Sequence, residues 1–171
     1  MYFNKILLII LILTYNNIYA LSDDRDQPIL IEANQAMIDN IKGIATYEGN
    51  VVVTQGSIRI DADKITLNYT TEQTIEKIIA TGDLASFKQH LDSDEDIVAK
   101  AKTMEYNAVK DTLHLTDKAE LSKQKGGKNI YTSNAPRILY DTKKGFTKAD
   151  GGETNSGRIK ISIEPQHIKK K

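Results

Sequence analysis

Apolar residues in this chain return at every second position, in short runs, from Pro28 to Ile163. Ile29, Ile31 and Ala33 alternate with Leu30 and Glu32. Ile58, Ile60 and Ala62 alternate with Arg59 and Asp61, and Ile65, Leu67 and Tyr69 with Thr66 and Asn68. Met104, Tyr106 and Ala108 repeat the pattern, as do Leu113 with Leu115 and then Ile159, Ile161 and Ile163. Side chains of a strand point to opposite faces in turn, so period two marks a strand with one buried and one wet face. A chain built this way can hide its apolar faces only by pairing strands into antiparallel sheet and folding that sheet on itself. The stretch from Thr70 to Ile79 would accommodate a turn or two of helix but shows no sustained 3.6-residue period.

The runs are punctuated by Gly49-Asn50, Gly82-Asp83, Gly126-Gly127, Lys144-Gly145 and Gly151-Gly152, which read as hairpin turns. Three of these recur at a nearly constant interval. Ala45-Thr46-Tyr47-Glu48-Gly49-Asn50-Val51 is echoed by Ala80-Thr81-Gly82-Asp83-Leu84, more weakly by Leu115-Thr116-Asp117-Lys118-Ala119, and again at Ala149-Asp150-Gly151-Gly152. The steps from Gly49 to Gly82, Asp117 and Gly151 are 33, 35 and 34 residues. A period of that length holding several short strands signals stacked β units. The expected fold is all-β: a twisted antiparallel β-roll of stacked short strands with an apolar inside and a polar outside. Alternation does not distinguish a filled core from an open groove.

The N-terminus has a different character. Fifteen of the first twenty residues are apolar, with Lys5 ahead of the run Ile6–Leu13 and Ala20 closing the segment. A positive start, a short apolar stretch and a small residue fit a secretory signal peptide cleaved after Ala20. As a helix, eight apolar residues reach about 12 Å, too short for a bilayer core of about 30 Å. Residues 1–20 are therefore expected to be a cleaved signal peptide, residues 21–165 a single domain, and residues 166–171 a disordered basic tail. Export as a soluble protein is implied.

Chemistry is sparse. The 23 Lys+Arg balance the 23 Asp+Glu, which argues against nucleic-acid binding by phosphate neutralisation. Without Cys there is no disulfide, thiolate metal site or Cys nucleophile. Of the three His, His114 alternates out of the sheet between Leu113 and Leu115, and His167 lies in the tail. His90 precedes the acidic run Asp92-Ser93-Asp94-Glu95-Asp96, which resembles half a calcium loop but has Ile97 where Gly is needed and Thr103 where Glu is needed. That run reads as a solvated hairpin tip. No G-x-S-x-G, H-E-x-x-H or Walker lysine pattern occurs. No catalytic residue, metal site or cofactor is expected, and the chain does not read as an enzyme.

Four segments resemble the LptA/OstA family of periplasmic lipopolysaccharide-transport proteins. They are Asp26-Gln27-Pro28-Ile29-Leu30-Ile31-Glu32-Ala33, then Tyr47 to Gly56 (YEGNVVVTQG) running into Ile58 to Lys64 (IRIDADK), then Gly82 to Phe87 (GDLASF), and Ala101 to Tyr106 (AKTMEY). They keep the family's order between about residues 26 and 124, and the likeness thins beyond Gly126. Leu84 stands where the family often has Pro, and Ala108 where it often has Leu, which implies a thinner groove wall there.

The resemblance implies an OstA-like β-jellyroll whose interior receives the acyl chains of lipid A. It places Ile29 and Ile31 on the N-terminal strand, Phe87 on the third segment and Tyr106 on the fourth. With their alternating neighbours, the expected groove lining is Ile29, Ile31, Val51, Val53, Ile58, Ile60, Phe87, Met104 and Tyr106. Implied partners are lipopolysaccharide, the inner-membrane anchored and outer-membrane translocon proteins of the export system, and further copies of the chain stacked head to tail. The implied location is the periplasm, and the implied role is to bridge inner and outer membranes. Two rivals remain at this stage: a membrane-anchored inner-membrane homologue of the same pathway, and a structural exported β-stack with no lipid ligand.

Overall fold

A computed structural model describes residues 24–72, 74–152 and 157–165. The expected signal peptide and basic tail lie outside the described residues. A single 3₁₀ turn, Asp24–Asp26, leads into ten strands: β1 Ile29–Glu32, β2 Gln35–Asp39, β3 Ile44–Gln55, β4 Ile58–Tyr69, β5 Ile75–Leu91, β6 Glu95–Asn107, β7 Thr112–Lys125, β8 Lys128–Asp141, β9 Phe146–Asp150 and β10 Lys160–Ile163. They form one antiparallel sheet in the order β1-β3-β4-β5-β6-β7-β8-β10, with β2 also on β3 and β9 also on β8. The all-β expectation holds. The segment after Thr70 is a turn, closed by the Thr70 amide donating to the Thr74 carbonyl, and then the start of β5. Beyond Gly126 the sheet continues through β8 to β10.

Strands β3 to β8 are long, from 12 residues in β3 to 17 in β5, yet the ladder between each neighbouring pair of them is interrupted near its middle. Register shifts fall between Glu48 and Val51, Asp61 and Lys64, Thr81 and Ala85, Lys100 and Thr103, and Thr116 and Ala119. One row of paired residues borders all of them: Glu48, Lys64, Thr81, Thr103, Thr116, Arg137 and Asp150. The shifts therefore line up across the sheet as a crease, with the surplus residues on β3, β5 and β7. A bulge bends its strand and sharpens the local twist, so a row of bulges folds the sheet.

This corrects the reading of the glycine pairs. Gly126-Gly127 and Lys144-Gly145 do sit in turns, and both Gly126 and Gly127 have the positive φ that a two-residue hairpin favours. Gly49-Asn50 and Gly82-Asp83 lie inside β3 and β5 at the crease, and Gly151 follows β9 at the same level. The recurring anchors thus mark every second crossing of the crease. The hairpin turns they were expected to form are elsewhere, at Gly56-Ser57 and at residues 40–43, 70–74, 92–94 and 108–111. On the far side of the crease the inward positions are small: Ala62, Ala85, Ala101, Ala119 and Ala135. Small side chains let two halves of one sheet approach where the fold is tightest.

The crease divides the sheet into two leaves. The first holds β2, β9 and the halves of β3 to β8 nearer Ile44; the second holds β1, β10 and the other halves. Ile65, Leu113 and Leu115 on the first leaf and Val51, Phe87 and Leu121 on the second are at most 3% exposed and belong to one hydrophobic cluster. A lone sheet cannot bury one face so fully, so each leaf covers the other. Each fully buried aliphatic side chain contributes about 1.5–3 kcal/mol. Tyr140 shares this core opposite Leu113, and burial pushes its phenol above its ordinary value, with the nearby Asp141 carboxylate acting in the same direction.

Two outcomes follow. Ala101→Leu overfills the crease and is expected to lower unfolding free energy by about 1–3 kcal/mol in urea titration, with the fold retained by circular dichroism. Ionising Tyr140 favours the unfolded chain, so its contribution is intact below the ordinary phenol value of 10.0 and is lost as pH climbs through the raised value. Tyr140→Phe should therefore flatten the fall of stability above pH 10 relative to the parent, measured by the urea midpoint at stepped pH.

Candidate functional site: an apolar interior between two leaves

All nine expected lining residues face the interior. Five of them, Val51, Val53, Ile60, Phe87 and Met104, are at most 6% exposed, and the other four, Ile29, Ile31, Ile58 and Tyr106, are half-buried against the same cluster. Register brings Ile31, Val53, Ile60 and Phe87 into one continuous row across β1, β3, β4 and β5 of the second leaf. Val51 stands opposite Ala62, while Ile29 and Ile58 both flank Gln55. Met104 and Tyr106 lie on the first leaf, between Ala80 and Leu115 and between Ile78 and Leu113. Ala108 does not thin this wall. It lies just past β6, where its amide donates to the Glu76 carbonyl at the turn into β7.

Burial is graded along the strands. Near the crease the inner face is sealed. Toward the strand ends it opens in places: Ile29, Ile58, Leu91 and Tyr131 on one leaf and Tyr69, Ile75 and Tyr106 on the other are only half-buried, while Ile97, Leu113 and Tyr140 stay sealed. The alternation signalled which face is apolar but not this gradient, because depth depends on how far the leaves diverge.

Asp24 is the one charged residue that is buried among the described residues. The buried polar groups of the sheet are hydroxyls: Ser122 donates to the Val98 carbonyl at 3.4 Å, and the Ser133 Oγ has no hydrogen-bond partner. Most charges sit on the outer face, but the Glu95–Lys123 pair shares the inner face with Leu91 and Ile97 at the strand ends, and Asp24 is buried beside Gln89. The acidic run turns β5 into β6, with Asp92-Ser93-Asp94 at the tip. Asp96 accepts from His90 Nδ1 at 2.9 Å and meets Lys88 Nζ at 3.1 Å, and these contacts hold its carboxyl below the ordinary range. Lys123 does the same for Glu95 at 2.9 Å. Among the described residues there is no group of His, Asp and Glu able to hold a metal ion.

Sequence reasoning passed over Asp24. Its carboxylate accepts from the Ser57 amide at 2.6 Å, the Ser57 hydroxyl at 2.9 Å and Gln89 Nε2 at 3.0 Å, which ties the segment before β1 to the β3–β4 turn and to β5. Gly56 leaves the room this carboxylate occupies. The partners are 33 and 65 residues away, so no local signal announces the clasp.

The two ends of the stack carry the other unforeseen feature. β1 and β2 end it on one side and β9 and β10 on the other, and none of them has a second strand neighbour among the described residues. The exposed large apolar residues gather there: Leu30, Met37, Ile38 and Ile41 at one end, Phe146, Ile159, Ile161 and Ile163 at the other. Only Leu84 and Val109 lie elsewhere. Free backbone edges beside exposed apolar side chains are the features that invite strand addition. No described helix is long and apolar enough to cross a membrane.

Comparison with known proteins agrees with this architecture. The sequence profile of the family described as LptA/(LptD N-terminal domain) LPS transport protein matches residues 30–146. A Haemophilus influenzae protein named lipopolysaccharide export system protein LptA is 36% identical over 98% of this chain and 97% of its own length. The Pseudomonas aeruginosa lipopolysaccharide export system protein LptH is 33% identical over 88% of this chain and 86% of its own. A crystal structure of LptH, described as the LptA homologous periplasmic component of the lipopolysaccharide transport device of that organism, superimposes with a TM-score of 0.72 at 29% identity, covering 83% of this chain and 99% of that one. The family is one of transport proteins and not of enzymes. With the matched residues spanning most of the sheet, the chain belongs to the LptA/(LptD N-terminal domain) family of lipopolysaccharide-transport proteins.

Proposed function

We propose that this protein carries lipopolysaccharide through the periplasm, holding its acyl chains between the two leaves and leaving sugars and phosphates in water. The observation that carries this reading is one apolar interior that is sealed near the crease and has half-open positions, among them Ile29, Ile31, Ile58 and Tyr106, at its edges. A twelve-carbon acyl chain costs roughly 10 kcal/mol to expose to water, at about 0.8 kcal/mol per CH₂. A lined interior removes most of that cost with no bond made or broken. The chain is seated near the strand ends, with Ile29, Ile31, Ile58 and Tyr106 in first contact, and the more deeply buried Val51, Val53, Ile60, Phe87 and Met104 form the floor.

In this reading residues 1–20 direct export and are removed after Ala20, residues 21–165 form the carrier domain, and the basic tail 166–171 is solvated. Copies stack head to tail, the β1/β2 end of one on the β9/β10 end of the next. The same edges engage related folds on an inner-membrane anchor and an outer-membrane translocon, so that the stack bridges the two membranes. The family's own description, which joins LptA to the N-terminal domain of LptD, supports a shared fold across such a chain of partners.

A photoreactive amino acid in place of Tyr106 should capture lipopolysaccharide on irradiation of intact cells, detected by immunoblot against the lipid. The same probe in place of His114, on the outer face, should give at least tenfold less; equal capture at both positions would remove the interior from the account. For the stack, Ile161→Lys with Ile163→Lys charges an exposed edge strand at the rim of the inner face, where both side chains are more than half exposed. Sedimentation equilibrium should then show end-to-end association at least tenfold weaker, about 1.4 kcal/mol, at unchanged urea midpoint. An unaltered association constant would take β10 out of the interface.

A further inference from the structure

We propose that a second copy of this chain docks against the outside of the crease, in a twofold pair centred on Leu84 and distinct from end-to-end stacking. Leu84 is 50% exposed and stands at the crease on β5, away from both ends of the stack. It is shared by two clefts of opposite charge. The cleft on the β3/β4 side, about 490 Å³, is lined by Asp61, Asp63 and Asp83 and by no cation. Asp61 is paired with Arg59 next to it, and Asp63 accepts the Asp83 amide at 3.1 Å, which leaves about two uncompensated negative charges. The cleft on the β6 to β10 side, about 590 Å³, is lined by Lys100, Lys118, Arg158 and Lys160 against Asp117 and Glu120. None of the four cations forms an ion pair with a described residue, and the cleft carries two net positive charges.

The backbone adds a further observation. Asp117 and Lys118 both adopt positive φ, 61° and 55°, at the crossing where β3 uses Gly49 and Asn50. A lysine held in a conformation that glycine or asparagine adopts more readily points to a role for its side chain in the cleft.

The clefts are self-complementary. A twofold axis through Leu84 reverses the strand order and lays the acidic cleft of each copy over the basic cleft of the other, with Leu84 against Leu84 at the centre. Asp61 on β4 and Lys100 on β6 both pair with Ser86, two residues along β5 from Leu84, so an axis parallel to the strands brings those two positions face to face. A free polyanion fits less well, because Asp117 and Glu120 share the basic cleft and the acidic cleft adjoins it.

The absence of Cys makes the test direct. In full-length mature protein, Leu84→Cys supplies the only thiol, and mild oxidation should give a disulfide-linked dimer, since sulfurs on a twofold axis meet within the roughly 7 Å Cα separation a disulfide tolerates. In a head-to-tail stack of eight-strand units the Leu84 positions repeat about 38 Å apart and cannot be bridged. Ser93→Cys, at the β5–β6 turn, is the control and should give at least tenfold less dimer. In the Leu84→Cys background, Lys100→Glu/Lys118→Glu alone and Asp63→Lys/Asp83→Lys alone should each cut the crosslink at least fivefold. An equimolar mixture of the two should restore it to within twofold, because each reversed cleft then faces its opposite. A crosslink no greater than the control, or one indifferent to these reversals, would overturn the proposal. So would a mixture that stays as poor as its components, or phosphate binding that vanishes in Lys100→Glu/Lys118→Glu while the crosslink persists.

Discussion

A single sheet with one apolar face must find cover for it, and among the described residues the only cover is the sheet itself. Everything else in the molecule depends on the line along which it folds. Register shifts in β3, β5 and β7 fall in step, so the bends add up instead of cancelling. If β5 were bulged one residue pair away from β3 and β7, its inner and outer faces would be out of phase with theirs for that stretch. Ala62, Ala85, Ala101, Ala119 and Ala135 then accept the close approach that the bends impose. The alanines are small because of where the crease runs, and the crease runs there because the bulges agree.

This explains what was legible beforehand and what was not. Period two identified the strands and their inward faces, since a strand's facing is local information. The 33- to 35-residue interval was also a true signal, but of crease crossings, not turns. Gly49-Asn50 illustrates the ambiguity: a residue pair that tolerates positive φ suits a hairpin and a bulge equally, and only the pairing of β3 with β4 decides between them. Burial depth was hidden for the same reason. Phe87 and Ile31 share a row, yet one is sealed and the other half-open because Ile31 lies at the end of that row. Asp24 was invisible because its partners are distant in sequence, and Ala108 was misplaced because the end of a strand is set by its turn.

The graded interior reconciles two demands that look opposed. A carrier for acyl chains needs an apolar space that a ligand can enter, while a fold with no disulfide and no metal site needs a core that water cannot. In the proposed role both demands are met, because the core rests on Ile65, Leu115 and their neighbours while acyl chains would exchange at half-buried positions such as Ile29 and Tyr106. Binding of this kind is apolar and non-directional, so it holds a chain without fixing it, which suits handing cargo onward. Around the acidic turn the charges are satisfied locally, Lys88 and His90 taking up Asp96 on the outer face and Lys123 taking up Glu95 at the rim of the inner one.

The ends of the stack carry the argument for the proposed end-to-end assembly. A repeating β architecture that is to remain solitary covers its terminal layers with polar caps or twists its edges away. Here the terminal strands are four or five residues long, as protected edges often are, but they carry Met37, Ile38, Phe146, Ile161 and Ile163 in the open. Apolar exposure at both ends and comparatively little between them is not what general stickiness would produce. It places the unsatisfied surface where another layer of the same architecture would continue the sheet. The short length then limits the cost of an unpaired edge in the single unit, and Asp39 and Lys160 on those strands oppose indiscriminate pairing. A covered interior with uncovered ends is thus what the proposed stacking requires, in which a neighbouring copy would continue the core.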